Sequence, residues 1–187
     1  MNRAKALDIV NEFVKNPNLV RHMLAVEAAM RFYAEKLDPE NVEKWAVTGL
    51  LHDFDWEIHP TLEQHPQEGA PILRARGVPE EIVRAILSHA QHMQAEYPRQ
   101  TLMEKALFAC DEITGLITAC ALVRPSRSLH DLKVKSVKKK WKDKSFAAGA
   151  DREEIALGAQ EFGVELWEHV GNVIEAMRRI APALGLG

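Results

Sequence analysis

A histidine and an aspartate stand next to each other at the end of an apolar helical run, Leu50-Leu51-His52-Asp53. Both side-chain types are common ligands of divalent metal ions. Adjacent residues on a helix point about 100° apart, so the pair can share one ion only if other segments supply further ligands. A lone His-Asp doublet is a weak signal that more often marks a capped helix end.

The rest of the chain offers such ligands, namely His22, His65, His89, His92 and Asp111. Together with the doublet, His22 and Asp111 would form a first site with positions left for water, as in catalytic metal sites. Imidazoles and carboxylates suit Mn²⁺, Fe²⁺, Co²⁺, Ni²⁺ or Zn²⁺. We therefore expect one or two divalent transition metal ions, whose identity the sequence leaves open.

The helices that must position these ligands follow from apolar periodicity. One stripe of a helix over about 19–37 carries His22, Val26, Met30 and Tyr33. For a single inward histidine, a hydrogen-bonded core residue is the ordinary interpretation, and only the doublet downstream favours a ligand.

The helix that ends at the doublet begins at Asp38-Pro39, an N-cap residue followed by proline at the first position. Gly49 lies inside this helix, where glycine costs about 1 kcal/mol relative to alanine. We attribute Gly49 to close packing against the helix that carries His22.

Residues 54–65 interrupt the periodicity and predict a loop that ends in His65. A short helix over about 66–76 follows, and Pro71 should kink or restart it. His89 lies near the end of the next helix. An antiparallel pair of helices can therefore bring His65 and His89 to one point.

A capping box from Thr101 to Glu104 opens a helix that runs to about residue 121. Asp111 lies on its apolar stripe, where a carboxylate is costly to bury unless it is paired or metal-bound. The alternative is a solvated aspartate. Cys110 and Cys120 on the same helix are about 15 Å apart, too far for a disulfide, so we expect two buried thiols.

Seven lysines fall within residues 133–144, after a segment at Ser128–Asp131 that resembles another capping box. A lysine face is usually solvated surface, and the alternative is a funnel or lid for an anionic substrate. On that alternative, the candidate phosphate-binding residues are Arg124, Lys133 and Lys135.

Apolar periodicity is helical along the chain, with no β-alternation of note, and indicates an all-α bundle of about seven to nine helices without a sheet. We expect residues 1–187 to form one domain, with a metal-binding core at about 19–121 and the helices of 128–183 packed on it. The hydrophobic content of 47% and charged content of 27% are typical of globular proteins.

A net charge of −3 gives no global attraction to nucleic acid or to an anionic membrane. No apolar run approaches the ~20 residues of a membrane span, and the first residues are amphipathic, unlike a signal peptide. We therefore expect a cytoplasmic protein with a small phosphorylated substrate as its partner. Whether it forms a homodimer is left open.

The ordered set His22, His52-Asp53 and Asp111 resembles the signature of the HD-domain metal-dependent phosphohydrolases, which spreads His, His-Asp and Asp over several helices. The resemblance covers about residues 20–120. It includes the phrase His-Pro-Gln-Glu-Gly-Ala at 65–70.

In the six-ligand members of this superfamily the central aspartate bridges two metals. The resemblance therefore implies that Asp53 is the bridge and that His65 and His89 complete a second site. Two departures stand out. The lysine of the His-Asp-x-Gly-Lys phrase in many relatives has no counterpart here. The double histidine of some phosphodiesterase members is His89-Ala90, for which His92 could partly substitute.

Three functions follow. The first is hydrolysis of a small phosphate ester, nucleotide-like or another phosphorylated metabolite, by a metal-activated hydroxide, with Asp53, Asp55 and Glu68 as catalytic candidates. The second is a di-iron oxygenase, because a branch of the superfamily uses the same six ligands for O₂ chemistry. The third is a non-catalytic, metal-stabilised binding module.

Overall fold

The computed structural model describes all 187 residues and contains ten α-helices and no β-strand. The helices are α1 (Arg3–Phe13), α2 (Pro17–Leu37), α3 (Val42–Leu51), α4 (Gly69–Ala75), α5 (Glu80–His89), α6 (Leu102–Leu122), α7 (Val134–Trp141), α8 (Arg152–Phe162), α9 (Leu166–Arg178) and α10 (Ala181–Leu184). The predicted all-α architecture is confirmed, and nine helices have seven residues or more. None of them combines the length and apolar character that crossing a membrane requires.

Two clusters of buried apolar side chains form the core. The larger has 33 residues, mainly from α2, α6 and α9, and the smaller has 17, mainly from α1, α3 and α5. Helix α2 contributes to both clusters, with Met23 in the smaller and Val26 in the larger. It thus lies between them. That the whole chain forms one domain stays a prediction.

Close contact between α2 and α3 explains the glycine inside α3. A Cβ atom built on Gly49 would lie 3.0 Å from the backbone nitrogen of Glu27 and from the carbonyl carbon of Val26. Any larger residue would push the two helices apart. Because these helices carry His22 and His52, the backbone contact also fixes the spacing of two candidate ligands.

Three helices begin later than predicted. Residues Pro39–Asn41 form a 3₁₀ turn, and α3 begins only at Val42. The predicted N-cap at Asp38 is wrong, because its carboxylate accepts hydrogen bonds from the side chains of Asn41 and Trp45 and caps no backbone N–H.

Helix α4 begins at Gly69, so Pro71 lies in its first turn, where the missing N–H breaks no helical hydrogen bond and causes no kink. Helix α7 begins at Val134 without a side-chain cap. The proposed capping box fails because the Asp131 carboxylate is bound to Arg124 and to Ser126 instead.

The other predicted cap and the two thiols are as expected. Thr101 and Glu104 form the reciprocal capping box at the start of α6. Cys110 and Cys120 are free and buried on that helix.

Candidate metal centre

The six predicted ligands meet as two groups that share Asp53. His22 comes from α2, His52 and Asp53 follow α3 directly, and Asp111 comes from α6; their ligand atoms lie within 4.8 Å of one another. A second group with the same spread joins Asp53 to two histidines, which are His65 and His89.

The first group has the spacing of a metal-binding set. The Nε2 atoms of His22 and His52 are 3.2 Å apart, and Asp111 Oδ1 lies 3.0 Å from the first and 3.3 Å from the second. Ligand atoms at about 2.1 Å from one ion are separated by about 3.0 Å at a right angle and by about 3.4 Å at a tetrahedral angle. The donor atoms therefore fit a divalent ion.

The two oxygens of Asp53 face different groups. Asp53 Oδ2 lies 3.5 Å from His22 Nε2 and 3.4 Å from His52 Nε2. Asp53 Oδ1 lies 3.3 Å from His65 Nε2 and 3.8 Å from His89 Nε2. A carboxylate placed in this way can bridge two ions.

Two of the histidines are oriented by the ends of their own helices. His52 donates from Nδ1 to the Gly49 carbonyl at 2.8 Å, and His89 donates from Nδ1 to the Ile86 carbonyl. A proton on Nδ1 leaves the Nε2 lone pair free for a metal. Both rings thus have the tautomer that the centre requires.

The other two rings are held by side chains. His65 donates from Nδ1 to Asp55 Oδ1 at 2.7 Å, and Asp55 is fully buried. His22 donates from Nδ1 to the Thr114 hydroxyl at 3.3 Å, while that hydroxyl donates to the Asp111 carbonyl. Both contacts orient Nε2 towards the ligand group.

Gly69 leaves room for the buried Asp55 carboxylate. A Cβ atom at Gly69 would lie only 2.4 Å from Asp55 Oδ2. The glycine of the 65–70 phrase therefore serves the aspartate that holds His65.

The mixture of histidines and carboxylates shifts the pKa of most of these groups. Burial alone would lower the pKa of His22, but hydrogen bonds with Asp111 and Asp53 outweigh it and raise the pKa to about 9. The pKa of His65 is raised to about 9 in the same way, by Asp53 and Asp55. Burial lowers the pKa of His89 to about 4. Metal ions would replace protons on the first two rings, so binding releases protons.

A cleft of about 590 Å³ opens over the ligands. Trp56 and Leu62 line it. It is also lined by two carboxylates that were not predicted as site residues, Glu112 and Glu154. Burial and the neighbouring Asp111 raise the pKa of Glu112 to about 7. Adjacency to Asp111 could have indicated Glu112. Glu154 lies in the first turn of α8, where acidic residues are common because they interact favourably with the helix dipole. Its position in the sequence therefore gave no indication that it lines the cleft.

Two of the remaining candidates, Asp55 and Glu68, lie outside this cleft. Asp55 is enclosed behind His65, so it supports that ring and does not face a substrate. Glu68 is exposed, with its carboxylate 3.5 Å from His59 Nε2. His92 does line the cleft, but its side chain is exposed and its Nε2 lies 3.4 Å from the Gln67 amide oxygen.

Arg124 and the lysines of residues 133–144 are also separate from the metal cleft. Arg124 binds Asp131 through hydrogen bonds of 3.0 and 2.7 Å and lines another cleft with Lys139 and Lys140. Lys133 and Lys135 are exposed and do not line the metal cleft. The structure therefore does not bring the three predicted phosphate-binding residues to the metal ligands.

A family model described as HD domain matches residues 19–116, more than half of the chain. The chain belongs to the HD domain family. No curated protein and no solved structure showed significant similarity to it. HD domains bind divalent metals and are generally metal-dependent phosphohydrolases. All six predicted ligands lie within the matched segment and form groups that could hold a metal ion, which agrees with a metal-dependent hydrolase.

Proposed function

We propose that this HD domain hydrolyses a small phosphate ester at a two-metal centre. The observation that carries the proposal is the orientation of Asp53, whose oxygens face two separate groups of ligands. A one-metal site needs no such carboxylate.

Each group would hold one ion through atoms that are already oriented. The first would use His22, His52, Asp111 and one Asp53 oxygen, and the second would use the other Asp53 oxygen and the two remaining histidines. When bound, divalent ions lower the pKa of water and neutralise charge on phosphoryl oxygens.

Other residues of the chain shape the cleft. Its volume of about 590 Å³ is in the range of a small-molecule site. The Trp56 ring packs edge-on against His65, with centroids 4.9 Å apart, and shields that imidazole on the cleft side. Asp55 keeps the His65 ring in place. Glu68 lies next to His59, which in turn contacts Asp55, and we assign it a supporting role.

Metal content and phosphate release test the proposal. Protein saturated with Mn²⁺ or Fe²⁺ should hold two ions per chain and release phosphate from some members of a panel of phosphate monoesters. Asp53→Asn should hold fewer ions and lose activity by orders of magnitude. Asp8→Asn changes an exposed aspartate and is the matched control. A wild-type protein that binds one ion, with an active Asp53→Asn variant, would contradict the two-metal centre.

The same six ligands would also suit the di-iron oxygenase. Iron in the protein as purified, an oxidised chromophore and O₂ consumption without phosphate release would favour it over hydrolysis. Stoichiometric metal with neither activity would favour a metal-stabilised binding module.

A further inference from the structure

A second groove, of about 350 Å³, adjoins the metal cleft. His22 and Gly115 line both cavities, so the two meet at the edge of the first ligand group. Arg21 from α2 and Thr118 from α6 form further walls, and the turn after α10 closes the groove. A molecule with its reacting group at the metal ligands could therefore extend past His22.

Arg21 is a cation without a carboxylate partner. The chain has twelve arginines, and nine of them lie within 4.0 Å of a carboxylate. The guanidinium of Arg152 donates to backbone carbonyls. Arg21 makes one hydrogen bond, of 3.3 Å, from Nη1 to the Asn18 side-chain oxygen. Its other N–H groups are free to bind a ligand.

The turn after α10 fixes where this charge lies. A Cβ atom built on Gly185 would be 3.8 Å from the Arg21 guanidinium carbon, so the side chain rests against that turn. Gly185 has a φ of +68°, a conformation that favours glycine. The guanidinium is thus placed at the wall of the groove.

Apart from the predicted metal ligands, the charged side chains that line the two cavities have opposite signs. Glu112 and Glu154 line the metal cleft, together with no lysine or arginine. No aspartate or glutamate lines the second groove, where Arg21 is the charged side chain next to His22. An anionic group on a bound molecule would be repelled by the first wall and attracted to the second.

We infer that Arg21 binds a second anionic group of the substrate and thereby selects phosphate esters that carry a carboxylate or another phosphate a few bonds from the ester. The inference rests on the proposed function, since the metal cleft must hold the reacting phosphate. A guanidinium matches either anion through paired N–H groups.

Non-hydrolysable phosphonates test this without turnover. Calorimetry with Mn²⁺-loaded protein would compare propylphosphonate, 3-phosphonopropanoate and propane-1,3-bisphosphonate. A second anion bound by arginine should improve affinity by about tenfold or more. The two probes that carry a second anionic group distinguish a preference for carboxylate from one for phosphate.

Matched variants test whether this gain in affinity comes from the Arg21 side chain. Arg21→Gln should remove the advantage of the probes with a second anionic group and leave the affinity for propylphosphonate unchanged. Arg21→Lys should retain part of that advantage. Arg127→Gln removes the charge of another exposed arginine and should keep the full advantage. The Arg127→Gln control also corrects for chelation of Mn²⁺ by the probes.

Each contrary result has a distinct meaning. Equal affinity of wild-type protein for all three probes, or an undiminished advantage in Arg21→Gln, would overturn the inference. If propylphosphonate still binds and esters are still hydrolysed, the proposed function stands. If no phosphonate binds and no ester is hydrolysed, both are wrong.

Discussion

His65 and His92 are both near the cleft, yet only His65 faces Asp53. His65→Ala should lower the metal count from two towards one per chain and leave the group around His22 occupied. Activity should fall by orders of magnitude because two-metal hydrolysis needs both ions. His92→Ala should be far milder. Metal analysis and phosphate release on both variants check this, and equal behaviour of the two would contradict the assignment.

Asp55 binds no metal in our assignment, but it fixes a ligand that does. Asp55→Ala would leave the Nδ1 proton of His65 unpaired and the ring free to turn. Removal of such a support typically weakens metal affinity 10–100-fold. Titration with Mn²⁺ should show this loss at the second site only. An unchanged two-site isotherm would mean that the ring needs no support.

Gly69 offers an independent route to the same contact. In Gly69→Ala the new methyl group would overlap Asp55 Oδ2 and displace the carboxylate from His65. We expect a loss of second-site affinity similar to that of Asp55→Ala. The double variant should lose little more, since both changes break one contact. Additive losses in a double-mutant cycle would show two separate effects.

Among the helices, the close backbone contact between α2 and α3 can be tested by replacing each of two glycines with alanine. Gly49→Ala should destabilise the protein by about 1–3 kcal/mol, because the gain in helix propensity is smaller than the strain of overpacking. Gly115→Ala is the control, since a Cβ atom there meets nothing within 4 Å. It should stabilise α6 by up to about 1 kcal/mol. Urea unfolding of both variants measures the difference.

The positions of the helices show which structural features can be predicted from residues that are close together in the sequence. Apolar periodicity placed His22 and Asp111 on the correct helices and the doublet at the end of α3, because burial of a stripe depends on residues three and four apart. The predicted start of α7 was wrong because the Asp131 carboxylate binds Arg124, which lies earlier in the chain than the residues that a capping box includes.

The same limit applies to the site. That the six candidate ligands come together could be predicted from residue type and order together with the family resemblance. Asp55 can hold the His65 ring only because Gly69 leaves space for its carboxylate. Glu154, the second carboxylate of the cleft, lies on a helix outside the matched segment. Both depend on three-dimensional packing, which residue spacing does not encode.

At the scale of the whole molecule, a buried histidine joins three long helices. His169 on α9 donates from Nε2 to the Ala109 carbonyl on α6 at 2.7 Å. Its Nδ1 accepts a hydrogen bond from the Tyr33 hydroxyl on α2 at 2.6 Å. The neutral ring satisfies both contacts. In the imidazolium Nδ1 would also donate, and the Tyr33 hydroxyl, which already accepts a hydrogen bond from Asn172, would lose its acceptor.

This arrangement makes stability depend on pH. Burial lowers the pKa of His169 to about 4, whereas an unfolded histidine has a pKa of about 6.5. Between these values the unfolded state binds more protons, so stability falls as the pH drops from about 6.5 to about 4, by up to roughly 3 kcal/mol. Urea unfolding at pH 7 and pH 5 should show a smaller loss in His169→Gln. Equal losses would exclude His169 as the cause.

The histidines His52 and His89 stand where α3 and α5 end, so both helices direct their carboxyl-terminal ends at the centre. The end of a helix carries about half a negative charge, and Asp53 and Asp111 add to it. This field favours cations, and in the metal-free protein it is offset by protons on His22 and His65, whose pKa values are raised to about 9. Binding should therefore be ordered: metal ions first displace these protons, and the phosphate then binds to the ions. The rate of substrate capture would follow the metal supply, with no phosphonate bound after treatment with a chelator.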